Sequence, residues 1–182
     1  NSITNPGNDF YNSDKDGRRN QNASLDLRYA LSTDTEVAAS YLQSVSHSRL
    51  DNALYDPNTW SYSQANLDYQ TRHTISRASA SASTRINNAW RTSLKLAQGF
   101  DESVGNLPIT LGSGPQKFST TQDQFSWQND IKLPLGEALV LFERLSQKIG
   151  GTQTYETQSR VIDSLSLGWS ARFDKHALQL NA

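Results

Sequence analysis

The chain has 182 residues, a mass of 20.3 kDa and a formal charge of −1, from 17 basic and 18 acidic side chains. This balance excludes the basic surface that nucleic-acid-binding proteins carry. No cysteine occurs, which excludes disulfides and thiolate chemistry. The longest apolar run is 138–142, far shorter than the ~20 residues of a membrane-spanning helix, so any membrane contact would use strands.

The most regular pattern is a double alternating run over 22–48, which follows a loop-like segment over 1–20. Apolar side chains occupy every second position in both limbs, and turn-forming residues separate the limbs at 32–35. The apolar set is Ala23, Leu25, Leu27, Tyr29, Leu31, Val37, Ala39, Tyr41 and Val45. Period two is the mark of a strand, so the run predicts a long β-hairpin. It also argues against disorder, which a hydrophobic fraction of only 35% would otherwise suggest.

Six further strands follow with the same period. They are predicted over 74–86, 90–100, 124–133, 138–147, 160–173 and 178–182. Short connections are predicted at 32–35, 87–88, 134–137 and 174–176, long irregular segments at 49–72 and 101–119, and a medium loop near 150. The facing of 138–147 stays open, because Leu139, Leu141 and Leu145 oppose Val140 and Phe142.

Short turns at one end and long loops at the other are typical of outer-membrane barrels, whose strands have one apolar and one wet face. The sequence therefore predicts an all-β fold, an antiparallel transmembrane β-barrel wall of about seven to eight strands. A soluble lipocalin-like barrel is the alternative, but it must fill its interior with bulky side chains. The alanines of 78–82 and the Arg, Lys and Gln residues on the other face fit a wide, wet lumen better.

The segment 14–20, Asp-Lys-Asp-Gly-Arg-Arg-Asn, resembles the Asp-x-Asp-Gly-x-x-Asn entry into an early barrel strand of TonB-dependent outer-membrane receptors, most closely the cobalamin (vitamin B12) receptors. The loop at 55–57, the strand 78–84 with Trp90 after its turn, and 162–182 are similar to that family in order and spacing. The resemblance implies that 1–182 is one partial domain from the middle of a barrel of about 22 strands, with the plug and the remaining strands outside it. A chain that lacks methionine and starts in a loop-like segment also suggests a piece of a longer polypeptide.

Such receptors are active transporters that import a scarce, large ligand with energy from the TonB complex, so the resemblance implies no catalysis. The implied partners are outer-membrane lipid, cobalamin or a similar ligand, and the TonB complex through the missing plug; free strand edges would allow self-association. A siderophore or haem receptor of the same superfamily and a soluble or surface β-sheet binding module stay open. An outer-membrane serine hydrolase also stays open, because serines are abundant and His47 and His73 lie among them.

In cobalamin receptors, aspartates of two neighbouring loops hold calcium. The resemblance therefore makes candidate calcium ligands of Asp14, Asp16, Asp51 and Asp56. Calcium takes about six to eight oxygen ligands, and two adjacent loops would supply them; a simple turn is the other reading of Asp-x-Asp-Gly. Candidate contacts to the transported ligand are Tyr55, Trp60 and Tyr62. A three-histidine metal site is not expected, because the three histidines lie on separate elements.

Overall fold

The computed structural model describes residues 17–56, 58–106 and 115–182, without the side chains of 50–55 and 62–68. Within that part the fold is all-β, and it contains no helix. Its eight strands are β1 (Arg18–Ala30), β2 (Thr35–Asp56), β3 (Ser61–Asn87), β4 (Trp90–Asn106), β5 (Gln116–Leu133), β6 (Gly136–Gly151), β7 (Ser159–Phe173) and β8 (His176–Asn181). They form one open antiparallel sheet whose spatial order is the order of the chain.

The first hairpin is confirmed. Leu25 pairs with Tyr41 and Leu27 with Ala39, so the two apolar limbs lie side by side on one face. The hydroxyl of Ser32 accepts the backbone N–H groups of Asp34 and Thr35 at 3.2 and 3.1 Å, which is how serine stabilises a tight turn. The short connections predicted near residues 88, 135 and 175 are confirmed as well.

The two long irregular segments were predicted wrongly. β2 continues to Asp56 and pairs with β3 along its whole length, with a register shift between Asp51 and Asn52. β4 likewise continues to Asn106, and β5 begins at Gln116. Backbone pairing requires only N–H and C=O groups, so a strand persists where apolar and polar residues do not alternate. The alternation that reveals a strand in sequence disappears there.

The register also fixes the facing of β6. Val140 pairs with Leu167 and Phe142 with Leu165, so these side chains lie on the face that β1 and β2 make apolar. Leu139, Leu141 and Leu145 lie on the opposite face. The sequence left this open because both parities of the strand are apolar, whereas paired residues must share a face.

We call the two surfaces the apolar face and the polar face. The apolar face carries Leu25, Leu27, Tyr29, Val37, Ala39, Tyr41, Ala78, Ala80, Ala82, Leu94, Leu96, Phe125, Trp127, Val140, Phe142, Leu165 and Leu167. The polar face carries Arg28, Glu36, Ser40, Ser79, Ser81, Lys95, Ser126, Gln128, Glu143, Ser164 and Ser166.

No second layer covers either face in the described part of the chain. Only Gly105, Asn129 and Ala171 are buried there. Large side chains of the apolar face are open, with Leu165 62% and Leu27 57% exposed. Exposed apolar patches of this extent mark a surface that something else covers. The apolar face is therefore uncovered within the part of the chain that the structure describes.

Candidate functional site

Three tryptophans lie on the apolar face, in the half of the sheet near the short turns. The indole N–H of Trp90 donates to Asn129 Oδ1 at 3.0 Å, and that of Trp127 donates to Thr92 Oγ1 at 2.9 Å. The indole of Trp169 donates to the carbonyl oxygen of Leu135 at 3.0 Å. The indole N–H of each ring is therefore hydrogen-bonded, while the hydrocarbon part of the ring lies on the apolar face. Tryptophan at a membrane interface has the same arrangement.

Polar pairs cross the same face toward the other end of the sheet. Gln98 Nε2 donates to Asp123 Oδ1 at 2.7 Å, and Arg144 pairs with Asp163 at 3.2 Å. Trp90 is the first residue of β4, at its turn-side end, and Gln98 lies eight residues further along the strand. Eight residues span about 27 Å of strand, or roughly 21 Å across a layer at the usual barrel tilt, close to the ~25 Å apolar belt of outer-membrane barrels.

The short turns are displaced progressively from one strand to the next, and this displacement measures the tilt of the strands. One row of paired residues runs through Leu27, Ala39, Ala80, Leu96, Phe125, Arg144 and Asp163. Measured from that row, β1 ends three residues further on and β7 ends ten residues further on. At ~3.4 Å per residue and ~4.8 Å between strands, this stagger of seven residues over six strand steps equals a tilt of about 40°. Transmembrane barrels have tilts of about 35–45°.

The polar face is hydrogen-bonded across its strands. Glu143 Oε1 accepts Gln124 Nε2 at 3.1 Å and Ser126 Oγ at 3.0 Å. The hydroxyls of Ser40 and Ser79 are 2.8 Å apart. Further along, His73 Nε2 and Asp101 Oδ1 are 3.0 Å apart. A surface of this chemistry suits water or a polar ligand.

The aromatic ligand-contact candidates meet at the tip of the β2–β3 hairpin. Tyr55 and Tyr62 pair with each other in the backbone register, and Trp60 lies between them in the chain, with φ 53° and 82% exposed. The carboxylate of Asp56 accepts the backbone N–H of Asn58 at 2.9 Å. This hydrogen bond, and to a lesser extent one from the Thr59 hydroxyl, lowers the pKa of Asp56 below its ordinary value. Asp56 therefore stabilises the tip as a turn residue.

The candidate calcium ligands do not all come together. Asp51 and Asp56 lie five residues apart on one extended strand, or about 17 Å, too far to share one ion with ~2.3–2.6 Å bonds. Asp14 and Asp16 lie outside the described residues. The next residue, Gly17, has a carbonyl that accepts the backbone N–H of Arg49 at 3.0 Å, two residues from Asp51.

The register adds a carboxylate that the sequence did not suggest. Asp68 lies directly opposite Asp51 in the β2–β3 ladder, at the register shift. Like charges in directly opposed positions destabilise a ladder unless a cation joins them. No sequence pattern pointed to this pair, because 49–72 was predicted to be irregular. Among residues with described side chains, no group of three or more His, Asp or Glu is placed to hold a metal ion.

No protein-family model matches this chain, and neither a curated protein nor a solved structure does. In the part of the chain that the structure describes, no helix is long and apolar enough to cross a membrane.

Proposed function

We propose that this sheet is part of the wall of a transmembrane β-barrel, with the apolar face toward lipid and the polar face toward an aqueous lumen. The observation that carries the proposal is the apolar face itself. Trp90 lies at the turn-side end of β4 on this face, and the polar pairs Gln98–Asp123 and Arg144–Asp163 cross the face toward the other end of the sheet. The tilt of about 40° supports the same architecture.

The barrel wall would belong to a TonB-dependent active transporter of the outer membrane. This second step depends on the resemblance of 14–20 to the cobalamin receptors. The structure supports it by putting the ligand-contact candidates at the tip of the longest hairpin, β2–β3, away from the short turns. In this proposal the wall imports cobalamin, and the hairpin tip contacts it.

A bound calcium ion would order the ends of β2 and β3, which carry the tip of their hairpin. The candidate ligands are Asp51 and the opposed Asp68, together with Asp14 and Asp16, which precede Gly17 in the chain. A cation between Asp51 and Asp68 would remove their mutual repulsion and stabilise the ladder at its register shift.

Cobalamin binding to the detergent-solubilised protein, titrated with and without calcium, tests both steps. We expect calcium to tighten binding and the double variant Asp51→Asn/Asp68→Asn to weaken it by roughly tenfold or more, because calcium sites depend on the number of their carboxylates. Asp174→Asn is the control, since Asp174 lies in a short turn at the opposite end. Binding that ignores calcium and both aspartates would remove the metal site, and absence of cobalamin binding would assign the barrel another ligand.

A further inference from the structure

A row of basic side chains crosses the apolar face farther from the short turns than its apolar residues Leu25, Tyr41 and Ala78. Arg19 of β1 pairs with His47 of β2, and His47 pairs with Arg72 of β3. Neither register shifts between this row and the apolar residues Leu25, Tyr41 and Ala78 six positions away, so the basic row has the same facing. Arg49 follows His47 by two residues and shares its face.

These four side chains are exposed and unneutralised within the described part of the chain. None has an ion pair or a side-chain hydrogen bond with another residue whose side chain is described. On the same face, the carboxylate of Glu102 is bound to Lys117 Nζ at 2.6 Å. Arg19 and Arg72 lie on either side of His47, each directly opposite it at ~4.5–5.5 Å. Like charges on neighbouring strands repel each other, so an anion that bridges the guanidinium groups would stabilise the row.

The depth of the row points to the kind of anion. Counted from the turn-side strand ends, Arg19 lies eleven residues away, His47 twelve and Arg72 fifteen. The four residues of the polar pairs, Gln98, Asp123, Arg144 and Asp163, lie eight to ten residues from the turn-side ends of their own strands. Along strands tilted by about 40°, the basic row is roughly 29–39 Å from the turns, which is the headgroup layer beyond a ~25 Å apolar belt.

We propose that Arg19, His47, Arg49 and Arg72 form a binding site for the phosphate groups of an anionic membrane lipid. Guanidinium groups bind phosphate in bidentate fashion, and the apolar residues on the turn side of the row would contact the lipid's acyl chains. The site rests on the proposed function, because it requires this face to be in the membrane.

The test compares lipids at the surface of the protein in phosphatidylcholine vesicles. Electron spin resonance of spin-labelled lipids measures how strongly phosphatidylglycerol and phosphatidylcholine are immobilised by the protein. We expect several-fold selectivity for phosphatidylglycerol, which the triple variant Arg19→Gln/Arg49→Gln/Arg72→Gln loses. The control Arg18→Gln/Arg77→Gln/Lys95→Gln removes the same charge from the polar face and should keep the selectivity.

Four outcomes would overturn the site in distinguishable ways. Absence of selectivity in a protein whose Trp127 is quenched by brominated acyl chains would refute the lipid site and leave the barrel wall standing. Absence of that quenching would refute both. Equal loss in the two triple variants would indicate net charge alone, and abolition of selectivity by inorganic phosphate at constant ionic strength would indicate a site for a free anion.

Discussion

With the apolar face in lipid, as proposed, Leu167→Arg is expected to destabilise the sheet by about 2–4 kcal/mol, the effect of an arginine at mid-depth on the lipid face of a barrel. Leu167 lies on the apolar face opposite Val140, between the polar Asp163 and the turn-side end of β7. An arginine there would have to leave water for hydrocarbon. The measurement is the free energy of unfolding from phospholipid vesicles in a urea titration.

Ser166→Arg is the matched control for Leu167→Arg. Ser166 is the adjacent residue of β7 and lies on the polar face opposite Leu141, where a charge stays in water. We expect its free energy of unfolding to change by less than about 1 kcal/mol. Equal destabilisation by the two variants would contradict the assignment of the faces, and greater destabilisation by Ser166→Arg would reverse it.

Gly136→Ala is expected to destabilise the sheet by about 1–3 kcal/mol. Gly136 begins β6 after the short turn from β5, and its φ of +96° is a conformation that side-chain-bearing residues rarely adopt. A Cβ on this residue would also collide with the carbonyl oxygen of Ser170 and lie 2.8 Å from Ala171 Cβ. Both the strain and the collision act on the β6–β7 pairing, and the urea midpoint measures the loss.

Gly99→Ala separates this local effect from the general effect of a methyl group. Gly99 lies within β4, and a Cβ there would meet only Gln122 Cβ, at 3.9 Å. Alanine is also less costly than glycine in a strand, because it loses less backbone entropy on folding. We expect no loss of stability in this variant; a loss as large as that of Gly136→Ala would contradict the role of the turn.

The hairpins nearest the short turns could be predicted from the sequence because one face must be apolar there. Leu25, Leu27 and Tyr29 alternate with polar residues, and the turn formers at 32–35 interrupt the run. The same reasoning failed beyond the apolar band. Residues 49–56 and 61–72 continue the ladder apart from the register shift after Asp51, but their apolar residues do not alternate regularly with polar ones, so the sequence shows no strand period there.

The candidate site could be predicted only in part for the same reason. Tyr55, Trp60 and Tyr62 were visible as aromatics in a polar stretch, and they do meet at one hairpin tip. The opposition of Asp51 and Asp68 and the alignment of Arg19, His47 and Arg72 depend on the register between neighbouring strands. Register comes from pairing, and no local pattern within one strand contains it.

The most direct test of the central claim uses the four tryptophans of the chain as depth probes, each retained singly while the other three are replaced by phenylalanine. The apolar face carries Trp90, Trp127 and Trp169, and the hairpin tip carries Trp60. With the apolar face in lipid, brominated acyl chains should quench the fluorescence of the first three and spare Trp60, which aqueous iodide should quench instead. Iodide quenching of all four, with no effect of brominated lipid, would contradict a membrane-spanning wall.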